Sequence, residues 1–151
     1  MRVISAETLG FEPPPLAPSI GNYAPFIAHA GIVSIVQGPL WGDELRYVGR
    51  VGETVDVETA REAARLCCAN VLMQLREACE GDLGRVTCCY RLGGYINSAP
   101  SFDRHSYVMN AASDLLLSVL GPEMRHSRYV VGCSSIPSNL VIEVEGWFGI
   151  D

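Results

Sequence analysis

Hydrophobic residues recur at spacings of three and four between residues 56 and 79, which predicts an amphipathic helix. Thr54 and Asp56 are both candidates to cap its start, and Gly81 and Gly84 follow its end as helix-terminating residues. The predicted apolar face consists of Ala60, Ala64, Cys67, Val71, Leu75 and Cys79. A second helix is predicted over residues 102–120, with Ser101 as its N-cap.

The inward face of this second helix is predicted to include Phe102, Tyr107, Ala111, Leu115 and Val119, and Gly121-Pro122 ends the helix.

Runs of β-branched and alternating residues predict the strands. Residues 32–37 form one strand, and residues 45–48 are expected to pair with it in a hairpin. A strand over 85–92 is expected to continue towards Ile96, with a bulge or a close backbone approach at Gly93-Gly94. The final two strands are predicted at 128–134 and 140–148.

The resulting order, β-β-α-β-α-β-β, predicts an α+β fold with two helices on one face of a sheet. The other sheet face must also be covered, because a bare apolar sheet face associates with other molecules. Association between copies of the chain through this face is therefore expected.

The 151-residue length fits a single domain, taken as residues 1–151. Residues 9–19 are rich in proline, and residues 1–19 are expected to form an extended arm lying on the body of the protein. No apolar run approaches the ~20 residues of a membrane span, and no signal peptide is evident. These features predict a cytoplasmic protein without a membrane partner.

The net charge of −6 disfavours general nucleic-acid binding, which favours basic surfaces. All eleven basic residues are arginine, so Schiff-base chemistry on lysine is excluded. The three histidines have no metal-binding spacing, and no metal site is expected. The six cysteines lack C-x-x-C spacing and are interpreted as buried free thiols acting as small hydrophobic residues.

Several motifs resemble the Rid/YjgF family across almost the whole chain. The segment 17–23 (APSIGNY) looks like the A-P-x-x-I-G-x-Y motif of that family, one residue shorter, and 65–71 (RLCCANV) is similar to its first helix. Arg128, Pro137, Glu143 and Glu145 reproduce its R-x-x-V…L-P…E-x-E signature, with Ile136 in place of leucine. The runs 112–116 and 131–132 resemble a branch whose substrates are poorly defined.

The resemblance implies a chorismate-mutase-like fold and a homotrimer, with the sheets inside, the helices outside and three ligand clefts between subunits. It implies hydrolysis of enamine or imine intermediates to 2-oxo acids and ammonia without a cofactor. By the same resemblance Arg128 binds the substrate carboxylate, Glu143 orients the attacking water, and Tyr23 lines the cleft. Val130, beside Arg128, is also expected to contact the substrate.

One position departs from the family pattern. Ser-Gly-Gln is typical near the end of the first strand, whereas Ile35 and Val36 precede Gln37 here. Both are expected to contact the substrate, and the loss of a hydroxyl favours a larger or more apolar carboxylate. A non-catalytic trimer that binds or senses a small carboxylate is the alternative function. Ribonuclease activity, attributed to some family members, is disfavoured by the acidic balance.

Overall fold

The computed structural model describes residues 2–151, and a five-stranded mixed sheet forms its centre. The strands of this sheet are β1 (Phe26–His29), β2 (Ile32–Gln37), β5 (Val86–Asn97), β6 (Ser127–Cys133) and β7 (Ile142–Ile150). Along the sheet they follow the order β1-β2-β7-β5-β6, and within it only the β5–β6 pair is parallel. A separate two-stranded ribbon pairs β3 (Leu40–Trp41) with β4 (Glu44–Leu45).

Two long helices, α2 (Val57–Ala78) and α3 (His105–Leu120), pack against each other and against one face of the sheet. Asp56 caps α2, since its side chain accepts a hydrogen bond from the Thr59 amide at 2.7 Å. The α+β architecture with two helices on one sheet face is therefore confirmed. Short 3-10 turns also occur among residues 2–151, at Leu83–Arg85, Pro122–Met124 and Pro137–Asn139.

The helix α3 begins later than the sequence pattern predicts. It starts at His105 with Arg104 at the cap position, so the expected N-cap role of Ser101 is wrong. Phe102 accordingly precedes the helix rather than lying on its inward face. Tyr107 is only half-buried, and its ring lies between the guanidinium groups of Arg61 and Arg104, which are 4.2 and 4.3 Å from it.

The partner of β2 also differs from the prediction. Residues 45–48 do not pair with β2; instead β1 does, through the tight turn at Ala30 and Gly31, where both residues have positive φ. Alanine rarely adopts this conformation, so the Asn-Gly, Asp-Gly or Gly-Gly pair that usually marks such a turn is absent. Leu45 belongs to the short β3–β4 ribbon, and Val48 bridges to Leu140.

The N-terminal arm lies on the body of the domain, as expected, but it is not extended throughout. Residues 6–9 form a short helix, α1 (Ala6–Leu9), with Ser5 as its cap. The carbonyl oxygen of Ala17 accepts a hydrogen bond from the buried Gln74 amide at 3.0 Å, and that of Leu9 accepts one from Arg65 at 2.6 Å. These contacts attach the proline-rich segment to α2.

The face of the sheet beneath the helices forms the core. Val33, Ile35, Leu92, Val144 and Phe148 are buried on this face, against α2 and α3. Gly94 allows the Met109 side chain to approach the strand, because a Cβ at residue 94 would lie 2.7 Å from the Met109 sulfur. The expected close approach at the glycine pair is therefore present, while the register shifts of β5 occur earlier, between Val86 and Arg91.

The opposite sheet face, here called the open face, carries neither of the two long helices, although the segment at residues 18–23 lies against one end of it. Exposed apolar side chains lie on it, namely Ile32, Val36, Tyr95, Val131 and Trp147. A polar cluster lies at its centre: the Tyr129 hydroxyl is 2.9 Å from Glu145 and 3.1 Å from the Tyr95 hydroxyl, and Arg91 is 3.2 Å from Glu145. A surface with these properties is suited to association with another protein surface.

All six cysteines are free, but two are more accessible than the sequence indicates. Cys67, Cys68, Cys79 and Cys89 are buried, whereas Cys88 and Cys133 are half-buried. Burial is also the main reason why the pKa values of the Cys67, Cys68 and Cys89 thiols are raised.

We expect an aromatic disulfide reagent to modify Cys88 and Cys133 of the native protein before the four buried cysteines, because only these two sulfur atoms are partly accessible to the reagent. Mass spectrometry of the partly labelled protein would identify the modified positions. Denaturant should make all six thiols react quickly. Rapid native labelling of Cys67 or Cys68 would contradict the buried-thiol interpretation.

Candidate functional site

A pocket of about 440 Å³ opens where β2, β7 and the segment before β1 meet. Glu143 of β7 lies in it together with Tyr23, Val36 and Pro137. The remaining lining residues are Pro18, Ser19, Ile20, Gln37, Gly38, Leu40 and Leu140. Most of this lining is apolar, and Glu143 is the one carboxylate in it.

Glu143 differs from its neighbour Glu145 in its surroundings. Glu145 has Arg91 and Tyr129 as partners, whereas Glu143 has no hydrogen-bond or ion-pair partner among residues 2–151. Its side chain is half-buried, and this burial raises the pKa of its carboxyl group. A carboxylate with a raised pKa and free lone pairs is suited to accept and return a proton.

Tyr23 closes one side of this pocket. Its hydroxyl accepts a hydrogen bond from the Ile20 amide at 3.3 Å, which fixes the ring against the preceding loop. More than half of its surface remains exposed. Tyr23 therefore presents an accessible aromatic surface to the pocket. The Ser19 hydroxyl, in the same lining, is buried and has no hydrogen-bond partner within the described chain.

The two residues that replace the expected Ser-Gly pair have different environments. Val36 lies in the pocket and is half exposed, while Ile35 is 1% exposed and belongs to the hydrophobic core beneath the helices. Because successive strand residues point to opposite faces, only one of the pair can face the pocket. The expectation that Ile35 contacts a ligand is thus corrected: within the subunit only Val36 is placed to do so.

Arg128 lies elsewhere, at the start of the edge strand β6 and against α3. Its guanidinium donates to the Ser113 hydroxyl at 3.1 Å and approaches the Ser106 carbonyl oxygen at 3.5 Å. Burial lowers the pKa of this guanidinium, and the Asp114 carboxylate opposes that effect. The Arg128 guanidinium nevertheless stays protonated at neutral pH, because the ordinary pKa of arginine lies far above neutral.

Ser113 connects Arg128 to His126. The Nδ1 atom of His126 is 3.0 Å from the Met124 carbonyl oxygen, which can only accept, so Nδ1 carries a proton. In the neutral ring the Nε2 atom, 3.0 Å from the Ser113 hydroxyl, then accepts from that hydroxyl. The sequence motifs predict no role in the site for either Ser113 or His126. The link between α3 and β6 depends on tertiary packing and leaves no short-range signal.

Within one subunit, Arg128 and Glu143 do not meet. Arg128 is level with Leu92 and points to the helix side of the sheet, as does Val130, which packs on the core edge. Glu143 is level with Tyr95 on the open face. Arg128 lies two strands away from Glu143 across the sheet and three residues away along the strands. Their Cα atoms are therefore about 14 Å apart. Tyr23, Val36 and Glu143 form one group, and Arg128 and Val130 form another.

Comparison with known proteins agrees with this architecture. Residues 2–147 match the family model described as "YjgF/chorismate_mutase-like, putative endoribonuclease". The chain belongs to the Rid/YjgF family. It is 37% identical over 142 residues to protein TCP17 of Trypanosoma cruzi, covering 92% of this chain and 88% of that protein.

Two solved structures extend this comparison. Atu1372 of Agrobacterium tumefaciens, a protein of unknown function, superposes with a TM-score of 0.87 at 36% identity, covering 96% of this chain and 90% of that one. The YjgF gene product of Escherichia coli superposes with a TM-score of 0.60 at 16% identity, covering 89% and 92% of the two chains. At that identity the second match shows a shared fold only.

Among residues 2–151, no group of three histidine, cysteine, aspartate or glutamate side chains is arranged to hold a metal ion. None of the helices in these residues has the length and hydrophobicity that a membrane span requires.

Proposed function

We propose that this Rid/YjgF protein hydrolyses imines or enamines to 2-oxo acids and ammonia in a cleft between two subunits. The observation that carries the proposal is Glu143, an unpaired and half-buried carboxylate in a mostly apolar pocket. Hydrolysis of a protonated imine needs a positioned water molecule and a proton acceptor rather than a strong nucleophile. Glu143 can meet both needs.

In the proposed reaction, the Glu143 carboxylate accepts a proton from water while the oxygen of that water bonds to the imine carbon. This addition gives a carbinolamine. Glu143 then returns the proton to the amino nitrogen, and the C–N bond breaks as the carbonyl forms. The hydroxyl proton passes to Glu143 and from there to the departing ammonia, which leaves as ammonium and restores the carboxylate. An enamine first takes up a proton at its β-carbon, which turns it into the imine. Water is consumed, and no redox partner is required.

Arg128 would bind the substrate carboxylate, because a planar guanidinium matches two carboxylate oxygens. Since Arg128 and Glu143 are about 14 Å apart on opposite faces of their own sheet, one small substrate cannot contact both within a subunit. The proposal therefore places Arg128 and Val130 of one subunit opposite Tyr23, Val36 and Glu143 of the next, in a homotrimer.

The assembly has a direct test. We expect light scattering at micromolar concentration to give the mass of a trimer, because the open face exposes apolar side chains around a polar cluster.

We also expect subunits with Arg128→Ala, inactive alone, to recover activity when refolded together with Glu143→Gln subunits. In an equal mixture about one cleft in four receives both intact residues. A stable monomer, or no recovery in confirmed mixed trimers, would contradict the cleft between subunits.

Val36 favours a substrate with a large apolar side chain. It is the pocket-facing member of the Ile35-Val36 pair, which stands where the family pattern places Ser-Gly, and Ile20, Tyr23 and Leu140 add further apolar surface. The same loss of a hydroxyl donor supports the second candidate function, a trimer that binds a small carboxylate without turning it over.

Changing Val36 to serine should shift the preference towards small polar imines such as the one derived from serine. One added hydrogen bond corresponds to an increase of about 2–10-fold in kcat/KM for such substrates. The ratio of kcat/KM for serine-derived and leucine-derived imines measures this effect. The matching change Val131→Ser, on the open face but outside the pocket, is the control. An unchanged ratio in Val36→Ser would show that Val36 does not select the substrate.

The function itself is tested with imines produced in place by an L-amino-acid oxidase. Semicarbazide competes for the imine before hydrolysis, so a deaminase lowers semicarbazone formation and accelerates the appearance of the 2-oxo acid. We expect both effects, larger for leucine and phenylalanine than for serine. If carboxylates bind but no imine is hydrolysed faster than in buffer, the binding protein is the better description.

A further inference from the structure

A second pocket, of about 340 Å³, lies at the far end of β6 and shares no lining residue with the Glu143 pocket. It is enclosed by the end of β6, the segment after β5 and the first residue of α3. Its polar residues are Arg50, Ser98, His105, Cys133 and Ser134, and its other lining residues are Ala99, Pro100, Phe102 and Gly132. Gly132 lies four positions further along β6 than Arg128, which places their Cα atoms about 13 Å apart.

Gly132 makes room for the polar groups of this pocket. A Cβ atom at residue 132 would lie 2.5 Å from the Ser98 hydroxyl oxygen and 2.6 Å from the His105 Nε2 atom. Both distances are too short for a real contact. Without a side chain at this position, Ser98 and His105 come within 3.5 Å of each other directly above the strand. The Ser98 hydroxyl and the His105 ring can therefore both contact one small ligand.

The groups that line this pocket are held in place by the fold. The Ser98 amide donates to the Cys133 carbonyl oxygen at 3.2 Å, and the next amide, of Ala99, donates to Val51 at 2.9 Å. The His105 ring packs edge-on against Phe102 with 4.9 Å between ring centroids. Arg50 donates to the carbonyl oxygen of Ser134. A ligand would meet donors that are already oriented, which lowers the entropic cost of binding.

The charge of the lining favours an anion. It contains one guanidinium and one imidazole but no carboxylate, although the whole chain has a net charge of −6. Arg50 also forms an ion pair with Glu53 at 3.6 Å, and the Glu53 side chain is 50% exposed, so it can turn away into solvent. The Phe102 ring and Pro100 keep part of the pocket apolar, which strengthens charge-assisted hydrogen bonds.

We propose that this pocket is a second binding site, for a small oxyanion such as a carboxylate or a phosphate. Arg50 supplies the charge, and Ser98 and His105 supply hydrogen bonds from the other side. The volume lies at the small end of the range found for ligand pockets, which suits a small molecule. The proposal does not depend on imine hydrolysis, because it uses none of the residues placed in that reaction.

The test follows the ring signals of the three histidines by NMR while inorganic phosphate or pyruvate is added at constant pH and ionic strength. We expect saturable shifts of the His105 signals, with those of His29 unchanged. Phosphate and pyruvate are titrated separately, and the one with the lower Kd identifies the preferred oxyanion. Equal shifts produced by sodium chloride alone would overturn the proposal.

Variants locate the binding. Arg50→Gln should weaken it about 10–100-fold, the range expected for one charge-assisted hydrogen bond, and Gly132→Ala should abolish it by filling the pocket. The control Arg46→Gln removes an exposed arginine paired with Glu44 elsewhere and should change nothing. Arg128→Gln should leave the His105 shifts intact.

Loss of the His105 shifts in Arg128→Gln would mean that the anion binds at Arg128, and unchanged affinity in Arg50→Gln would also overturn the proposal. If Gly132→Ala does not fold, Ser98→Ala, which removes one donor and adds no volume, takes its place.

Discussion

Replacing Glu143 by glutamine should lower the turnover of imine hydrolysis by about 10²–10⁴-fold while leaving the affinity for a 2-oxo acid product nearly unchanged. The amide has almost the same shape as the carboxyl group but cannot accept a proton from water. Glu143 has no partner among residues 2–151, so no hydrogen bond or ion pair of the folded subunit is lost. Steady-state rates in the oxidase-coupled assay and calorimetry with the product measure the two quantities.

Glu145→Gln is the matched control for this change. Glu145 lies on the same strand and the same face, two residues further on, but it is engaged by Arg91 and Tyr129. Its replacement should lower the stability or the assembly of the trimer more than it lowers the turnover rate of each assembled cleft. If Glu143→Gln retains full activity, or if Glu145→Gln causes the same loss in intact trimers, the assignment of Glu143 is wrong.

The acid side of the pH–rate profile reports the same group. Glu143 acts as a base only when ionised, and burial raises the pKa of its carboxyl group above the ordinary value for glutamate. Activity that depends on this base is therefore lost, as pH falls, at a higher pH than an exposed glutamate would give. The residual activity of Glu143→Gln should lack this acid limb.

Replacing Arg128 by alanine should weaken carboxylate binding by about 2–5 kcal/mol, since a charge-assisted and bidentate contact in a partly desolvated site is lost. Arg128→Lys should also bind more weakly, because an ammonium group lacks the planar fork of the guanidinium. Calorimetry with a series of 2-oxo acids measures both effects. If Arg128→Ala binds every carboxylate as tightly as the unmodified protein, the arginine does not hold the ligand.

Ser113→Ala separates the charge of Arg128 from its orientation. The Ser113 hydroxyl accepts from the guanidinium and links it to His126, so its loss keeps the charge but frees the side chain. We expect a smaller loss than for Arg128→Ala, of about 0.5–1.5 kcal/mol. The control Ser118→Ala removes a hydroxyl on α3 that donates to the carbonyl oxygens of Leu115 and Thr8.

Long periodic patterns predicted the fold well. The 3.6-residue period over 56–79 gave the helix α2 within one residue at each end, and alternation over 140–148 gave most of β7. These patterns are informative because each element buries one face against a common core, which constrains many residues at once. The α+β class follows from the order of such elements.

Short and tertiary features were not predictable in this way. The four residues of β1 are mostly exposed, so its burial pattern lacks alternation, and Ala30 at the following turn is an unusual residue for positive φ. The register of β2 determines that Val36 faces the pocket and Ile35 the core, which a motif comparison alone does not decide. The contact between Ser113 and Arg128 joins residues on separate elements and depends on how α3 packs.

The strand β7 has a consequence for synthesis of the protein on the ribosome. It follows all the other strands along the chain, yet it pairs with both β2 and β5 and joins the two halves of the sheet. A nascent chain that has completed both helices still has two unpaired strand edges, and it stays open to wrong pairing until residues 142–150 leave the exit tunnel. Premature termination anywhere before this strand would release a product with a divided sheet, which we expect to be a target of chaperones and proteases.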